Sequence, residues 1–392
     1  GAVQQIGSPS LNLVYADKMG NIGHYVTGRA PIRRTGKGQV PVPGWTGKHE
    51  WIGDVPFSDM PHALNPATGY LVNANNKIVD DTYPFFLGSA WRNGYRARRI
   101  TEFIEGHPSA GLSEMRQLQH DVVSIPGLKL RDFLQAHFAE DVVEDAELQD
   151  CLELLRNWDG MMSPASAGAL IYKTLVVELS MAIILPKVGQ QLANSFLGTG
   201  PHPVLYPFGE SHGQWLPVLL RLLQAEESWW LTQGDMKNLM LRKAVAQTMR
   251  RLRAQFGDDP DHWSWAANHK ITFGHTLATQ RPLDLVFNTG GLTVGGDADT
   301  VCQMSIDQDN PANNIAPSYR QILDVSNWDV SLAVHAPGQS GHLASRHYAD
   351  LCEPWREGGY FNLCWSKRAV SLSTRYELQL LPWPVASYGA EL

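Results

Sequence analysis

The feature that most constrains the fold is a change in the spacing of apolar residues near residue 111. Before this point, short apolar runs alternate with Gly, Pro and Trp, which is typical of short strands joined by turns. From residue 111 to about residue 262, apolar residues recur every three or four positions, as on one face of an amphipathic helix. After Trp265, strand-like runs and paired glycines return. This order predicts an α+β fold whose two β-rich parts share one sheet system.

The change of pattern divides the chain into three parts. Residues 1–105 form a β-rich part of the core, residues 106–262 form a helical insertion, and residues 263–392 return to the β-rich core. The predicted elements are strands at residues 12–15, 22–26, 70–73, 322–325 and 331–335, a helix that begins at Glu114 behind the N-cap Ser113, and helices at residues 130–139, 146–158, 165–185, 215–225 and 235–256.

The longest apolar stretch, residues 169–185, lies inside the helical part. Lys173 and Glu178 interrupt it and Pro186 follows it, so it is shorter and more polar than a membrane-spanning helix requires. We interpret it as a buried helix that is capped by Ser163 and Pro164 at its start. The sequence therefore predicts no membrane span.

The charge distribution argues against a nucleic-acid partner. The net charge is −7, the pI is near 6.1, and no run of five or more basic residues occurs. Arg250, Arg251 and Arg253 cluster on one predicted helix, and we interpret them as a solvated face rather than as an anion site. The cysteines lack the spacing of a metal site and are compatible with two disulfides or with none: Cys151, Cys302, Cys352 and Cys364.

One short pattern indicates a different class of enzyme. Gly209-Glu210-Ser211-His212-Gly213 fits the G-x-S-x-G nucleophile elbow of the α/β-hydrolases. That elbow requires a parallel βαβ series around it, whereas residues 110–260 are almost uninterrupted helix. We therefore interpret Ser211 as a polar residue at a helix N-terminus, and a serine esterase built on Ser211 is kept as an alternative.

A series of ordered sequence blocks runs over nearly the whole chain. The blocks include Tyr15-Ala16-Asp17, Gly20-Asn21-Ile22-Gly23, Pro41-Val42-Pro43-Gly44-Trp45, Asn73-Ala74-Asn75-Asn76, Gly94-Tyr95-Arg96-Ala97, Gly295-Gly296-Asp297 and Pro337-Gly338-Gln339-Ser340-Gly341. Together they resemble the penicillin acylase family of N-terminal nucleophile hydrolases, and they match the C-terminal part of its larger subunit. The resemblance implies a four-layer αββα sandwich, here with a helical insertion. It also implies a precursor that cleaves itself, so that a new N-terminal serine becomes the nucleophile and its own α-amino group the base.

The family match implies roles for two residues. Asn75 falls on the asparagine that donates to the oxyanion, and Arg96 falls on the arginine that lies near the nucleophile. From the spacing alone, an ordinary residue of a turn or strand end is the favoured interpretation of Asn75, and Arg96 is equally an ordinary surface arginine. Gly1 has no hydroxyl, so we expect the serine to lie upstream in other parts of the precursor and this chain alone to be inactive.

The resemblance also bears on cofactors, partners and location. The chemistry requires no cofactor, and structural calcium is doubtful because residues 83–91 lack the expected acid and because Asp297 and Asp299 are too few ligands. We interpret His347, Tyr348 and Asp350 as a structural hydrogen-bond group. The expected partners are the smaller subunit, the upstream segment and a small acyl-amide substrate, and the expected location is the periplasm or outside the cell.

The sequence therefore predicts an acylase that hydrolyses a linear amide between an acyl group and an amine through an acyl-enzyme. Two alternatives remain: a catalytically inactive remnant of such an enzyme, and the serine esterase that uses Ser211.

Overall fold

The computed structural model describes residues 2–139, 145–197, 210–226, 228–231, 235–267, 269–305 and 314–380. The α-helices are α1 (Tyr95–Gly106), α2 (Leu112–Gln119), α3 (Ile125–His137), α4 (Ala146–Arg156), α5 (Ala167–Leu197), α6 (Glu210–Gln224), α7 (Asp235–Phe256), α8 (Leu283–Phe287), α9 (Cys352–Glu357) and α10 (Lys367–Ser373). The strands are β1 (Asn12–Ala16), β2 (Ile22–Val26), β3 (Pro31–Arg33), β4 (Trp51–Asp54), β5 (His62–Leu64), β6 (Lys270–Phe273), β7 (Thr289–Thr293), β8 (Tyr319–Ile322), β9 (Leu332–His335) and β10 (Phe361–Asn362). The predicted α+β class is confirmed.

The helix starts differ from the predicted ones by a few residues. Helix α2 is preceded by Gly111, whose N–H donates to the Glu114 carboxylate at 2.9 Å, so Ser113 lies inside the helix and is not its cap. Helix α5 is capped by Ser166, whose Oγ accepts from the Ala169 N–H at 3.1 Å, and not by Ser163. Several serines precede each helix, and only the three-dimensional path of the chain selects the one that caps.

Helix α5 is the centre of the largest core, and α3, α4, α6 and α7 pack around it. Leu175 and Leu179 are fully buried there, and the Trp215 indole of α6 donates to the Ser180 hydroxyl of α5 at 2.7 Å. Within the described residues, the segment Ala167–Phe196 is long and apolar enough to cross a membrane by length and composition, and 61% of its most apolar 18-residue window is buried inside the protein. This burial supports the interpretation of α5 as a core helix.

Every pair of named strands in the described residues is antiparallel. The sheets have the strand orders β1-β2-β5, β3-β4, β6-β7 and β10-β9-β8. A second core lies under the C-terminal sheets around Val334 and Trp355, and a small third core lies under the N-terminal sheets around Val26 and Met60. All four cysteines have free thiols: Cys151, Cys302, Cys352 and Cys364.

Strand β1 lies at the edge of its sheet, and all five of its residues are exposed. Its apolar side chains include Val14, which is 60% exposed, and Tyr15, which is 50% exposed. In the same part of the chain, Trp45, Trp51 and Leu64 are also exposed. The N-terminal sheets therefore carry an apolar surface that the described residues do not cover.

Candidate active site

The turn at residues 73–76 presents Asn75 in a left-handed conformation with φ of 62°. Asparagine tolerates this conformation better than most residues. The Asn73 Oδ1 accepts from the Asn75 N–H at 3.4 Å, and the Asn76 Oδ1 accepts from the Ala74 N–H at 3.1 Å. These bonds hold the turn at Ala74 and Asn75. The strand predicted at residues 70–73 is wrong, because the chain forms no strand there. The turn leaves Asn75 exposed.

Arg96 lies in the first turn of α1 and fixes the Asn75 side chain. Its Nη2 donates to the Asn75 Oδ1 at 2.8 Å, so the two residues named by the sequence are in direct contact. A second link joins the turn to this region, because the Arg92 N–H donates to the Asn75 carbonyl at 3.0 Å. Since the Oδ1 accepts from Arg96, the Nδ2 is the end of the amide that can donate to another group.

Arg96 itself lies in a strongly charged environment. Burial lowers the pKa of its guanidinium, Asp299 raises it, and Arg92 lowers it. An arginine keeps its charge across the physiological range, so Arg96 is a fixed positive charge beside the Asn75 amide.

Asp299, a residue that the sequence analysis did not assign to the site, provides the opposing charge. It is buried, and its Oδ1 accepts from the Asn93 Nδ2 at 2.6 Å. Burial and the neighbouring Asp297 raise the pKa of Asp299 to about 6, against the opposing effects of Lys173, Asn93 and Arg96. The Asp299 carboxylate therefore belongs to the same electrostatic group as Arg96, although it is 203 positions further along the chain (299 − 96).

Asp297 anchors this group to the helical core. The Lys173 Nζ of α5 lies 3.1 Å from the Asp297 Oδ2, and both residues are largely buried. Burial opposes the charge on Lys173, but Asp297 and Asp299 together raise its pKa. The sequence signal for Asp297 and Asp299 was two acids in a glycine-rich turn, which had suggested a calcium loop. In the structure Asp297 pairs with a lysine, and the described residues hold no group of three or more His, Cys, Asp or Glu suited to a metal ion.

The His347 group is structural, as the sequence analysis expected. The His347 Nδ1 lies 2.7 Å from the Asp350 Oδ2, and the Tyr348 hydroxyl donates to the Phe287 carbonyl at 2.6 Å. The first contact lies within the loop after β9, and the second ties that loop to the end of α8.

Ser211 is the second residue of α6. Gly209 of the pattern and the predicted strand run at residues 204–206 lie outside the described residues. The named strands that are described pair antiparallel, whereas the nucleophile elbow needs a parallel sheet. The structure therefore supplies no support for an elbow at Ser211.

Comparison with known proteins gives one consistent family. A model of the penicillin amidase family matches residues 1–371. The penicillin acylase 2 proenzyme of Pseudomonas sp. (strain SE83) is 31% identical over 372 residues, which cover 94% of this chain and 46% of that protein. The acyl-homoserine lactone acylase QuiP of Pseudomonas syringae pv. syringae is 28% identical over 377 residues, covering 91% and 44%. The chain thus spans a little under half the length of these curated relatives.

A solved structure shows the same fold. The thermostable penicillin G acylase from Alcaligenes faecalis aligns with a TM-score of 0.65 and 20% identity, and the alignment covers 96% of this chain and 68% of that chain. The match confirms the fold class that the sequence blocks implied.

Proposed function

The chain belongs to the penicillin amidase family, and from this premise we propose that the protein of which it forms part is an acylase that hydrolyses a linear amide between an acyl group and an amine. The observation that carries the proposal is the contact between Arg96 and the exposed, left-handed Asn75. This 2.8 Å hydrogen bond joins two side chains that lie 21 positions apart in the sequence, and it fixes the amide that we propose as a donor.

Asn75 has the chemistry of an oxyanion donor. When the nucleophile attacks the amide carbonyl, negative charge develops on the carbonyl oxygen, and an N–H donor aimed at that oxygen lowers the barrier. A side-chain amide suits this task because it donates without titrating. With its Oδ1 bound to Arg96, the Asn75 amide is already oriented, so no energy is spent on ordering it during the reaction.

We propose that the nucleophile is an N-terminal serine in another segment of the precursor, with its α-amino group as the base. An α-amine has a pKa of roughly 7.7–8.0, so it is partly neutral and able to accept a proton near neutral pH. A fixed cation such as Arg96 close to that amine would lower its pKa further and favour the neutral form. In this proposal the described chain contributes the oxyanion hole and does not turn over substrate by itself.

The same precursor supplies the partner surface. The exposed apolar residues of β1 and its neighbours need a cover, and the curated relatives are about twice as long as the matched region. We propose that the upstream segment and the smaller subunit pack on these sheets. The relatives' names, penicillin acylase and acyl-homoserine lactone acylase, support an acylated β-lactam amine, an acyl-homoserine lactone or another acyl amide as the proposed substrate. By family resemblance the proposed location is the periplasm or beyond.

The test of Asn75 uses the full-length protein with Asn75→Gly, because glycine keeps the left-handed backbone while it removes the amide. We expect kcat for amide hydrolysis to fall by about 100- to 1000-fold with little change in KM. Asn65→Gly is the matched control, because Asn65 is a second left-handed asparagine, with φ of 46°, and this variant should retain kcat. An unchanged kcat in Asn75→Gly would remove Asn75 from the site.

A second variant separates the alternatives. Ser211→Ala in the full-length protein should leave amide hydrolysis intact. If Ser211→Ala folds normally but loses amide hydrolysis, the result favours the serine esterase that uses Ser211. If the processed wild-type protein hydrolyses no acyl amide, the inactive remnant is the better description.

A further inference from the structure

A cavity of about 490 Å³ lies between the end of α2, the start of α5 and the C-terminal sheets. Its lining includes His120, Ser163, Thr293, Cys302, Arg320 and Arg356. None of Asn75, Arg96 and Asp299 lines this cavity, so it is separate from the candidate active site.

Arg320 of β8 is the unusual residue of this cavity, because it is a charged side chain with only 5% exposure. Its Nη1 donates to the Trp355 carbonyl at 2.7 Å, its Nη2 lies 3.7 Å from the Cys302 Sγ, and its guanidinium carbon lies 4.8 Å from the Trp355 ring centroid. None of these partners is an anion, and the Arg320 Nε has no hydrogen-bond partner. Among the described residues, no carboxylate lies within ion-pair distance of Arg320. A buried cation without a counter-charge is costly.

Two more buried nitrogen atoms of the cavity lining have no hydrogen-bond partner, the His120 Nε2 and the Arg356 Nε. Glu357 also lines the cavity, but Glu353 and Glu357 both pair with Arg356, so the uncompensated charge belongs to Arg320. Burial, and after it Arg320 and Arg116, lowers the pKa of the His120 imidazole to about 4, so this ring is neutral near pH 7.

We propose that this cavity binds a small oxygen-bearing anion, a carboxylate or a phosphate, that accepts hydrogen bonds from the Arg320 Nε and its neighbours. The guanidinium fork is the side chain best matched to such anions, and a hydrogen bond between ions is stronger than one between neutral groups. The cavity volume exceeds that of either anion, so water completes the rest of its hydration. An anion here supplies the counter-charge that Arg320 lacks and stabilises the contact between α2, β8 and α9.

The test measures thermal unfolding of the full-length protein in parallel titrations with sodium acetate and sodium phosphate. A ligand that binds the folded state raises the melting temperature in a saturable way. Arg320→Lys keeps a positive charge but removes the Nε–H, so its apparent Kd should be about tenfold or more weaker. Arg250→Lys, at an exposed arginine of α7, is the matched control for general salt effects and should behave as the wild type.

A second variant covers the case in which Arg320→Lys does not fold. Ser163→Asp places a carboxylate at the cavity wall, where it replaces the bound anion, so the saturable response should disappear. Saturation with acetate identifies a carboxylate site and saturation with phosphate alone identifies a phosphate site. The proposal is overturned if the wild type shows no saturable response to either salt, or if Ser163→Asp and every folded variant respond as the wild type does.

Discussion

The helical part and the N-terminal β part of this protein differ in how completely they bury their apolar side chains. Around α5, the helical part completes its own core, in which Leu134, Leu148, Leu175 and Leu179 have no exposed surface. The N-terminal β part has a core of four buried residues and leaves the whole of β1 exposed. Within the described residues the first part completes a hydrophobic core and the second leaves an apolar edge uncovered. The candidate site links Asn75 and Arg96, next to this uncovered part, to the buried Asp299.

The largest expected effect tests the self-sufficiency of the helical part. Leu175→Ala removes a fully buried side chain and leaves a cavity among α3, α5 and α7, so the free energy of unfolding should fall by about 3–5 kcal/mol. Val177→Ala is the control on the same helix, because Val177 is 40% exposed and should change stability by less than about 1 kcal/mol. Urea unfolding measures both, and equal losses would show that the core around α5 is not tightly packed.

The second prediction tests whether β1 is covered in the full-length protein. Val14→Lys places a charge on the exposed edge strand, which costs little if the strand stays in water. If other segments of the precursor pack on it, the charge is partly buried and the free energy of unfolding should fall by roughly 2–3 kcal/mol. Met19→Lys, in the exposed turn between β1 and β2, is the control. Equal stability of both variants would mean that β1 remains an open edge.

The secondary structure was also easier to predict from sequence in the helical part than in the β part. Helix α7 was predicted at residues 235–256 and is found at Asp235–Phe256, because a long apolar period repeats the same signal many times. In the β part, no strand forms at the predicted residues 70–73, and the chain enters the turn in which the Asn73 and Asn76 side chains bind the N–H groups of Asn75 and Ala74. Short segments carry too few residues for their period to outweigh such local bonds.

The residues of the candidate site also divide into those that the sequence predicted and those that only the structure revealed. Asn75 and Arg96 were named through the family resemblance, and the hydrogen bond between them is a finding of the structure. Asp299 could not be assigned from sequence, because its importance comes from burial beside Arg96, and burial depends on the packing of distant segments. A pair of acids in a glycine-rich turn looks the same whether its counter-charge is a metal ion or Lys173.

The third prediction concerns the buried Asp299 carboxylate of the candidate site and the pH dependence of protein stability that it causes. The folded-state pKa of Asp299, about 6, is higher than its ordinary value of 3.8, so the folded protein binds this proton more tightly than the unfolded protein. Its contribution to stability is therefore present below about pH 4 and is lost as the pH rises through 6. Asp299→Asn should remove roughly 2 kcal/mol of this pH dependence between pH 4 and 7.

The control for this experiment is Asp324, whose pKa shift has the opposite sign to that of Asp299. Hydrogen bonds from Ser326 lower the pKa of the exposed Asp324 carboxylate, so its contribution is present above the ordinary pKa and is lost in acid. Asp324→Asn should therefore leave the change between pH 5 and 7 intact. Stability curves of Asp299→Asn and the wild type that run parallel over this range would exclude Asp299 as the titrating group.

The smallest expected effect concerns the surface of the helical part. The arginines of α7, interpreted from sequence as a solvated face, are exposed but paired: Arg250 lies 3.2 Å from Glu147 of α4, and Arg251 lies 3.2 Å from Glu178 of α5. Exposed pairs of this kind gain little, because water screens the charges and two long side chains must be ordered. Arg250→Ala should lower the free energy of unfolding by only about 0.2–1 kcal/mol, with the loss shrinking further in 1 M NaCl. A loss comparable to that of Leu175→Ala would mean that the helical part depends on its charged rim as well as on its apolar core, and the contrast with the β part would then rest on charge as much as on burial.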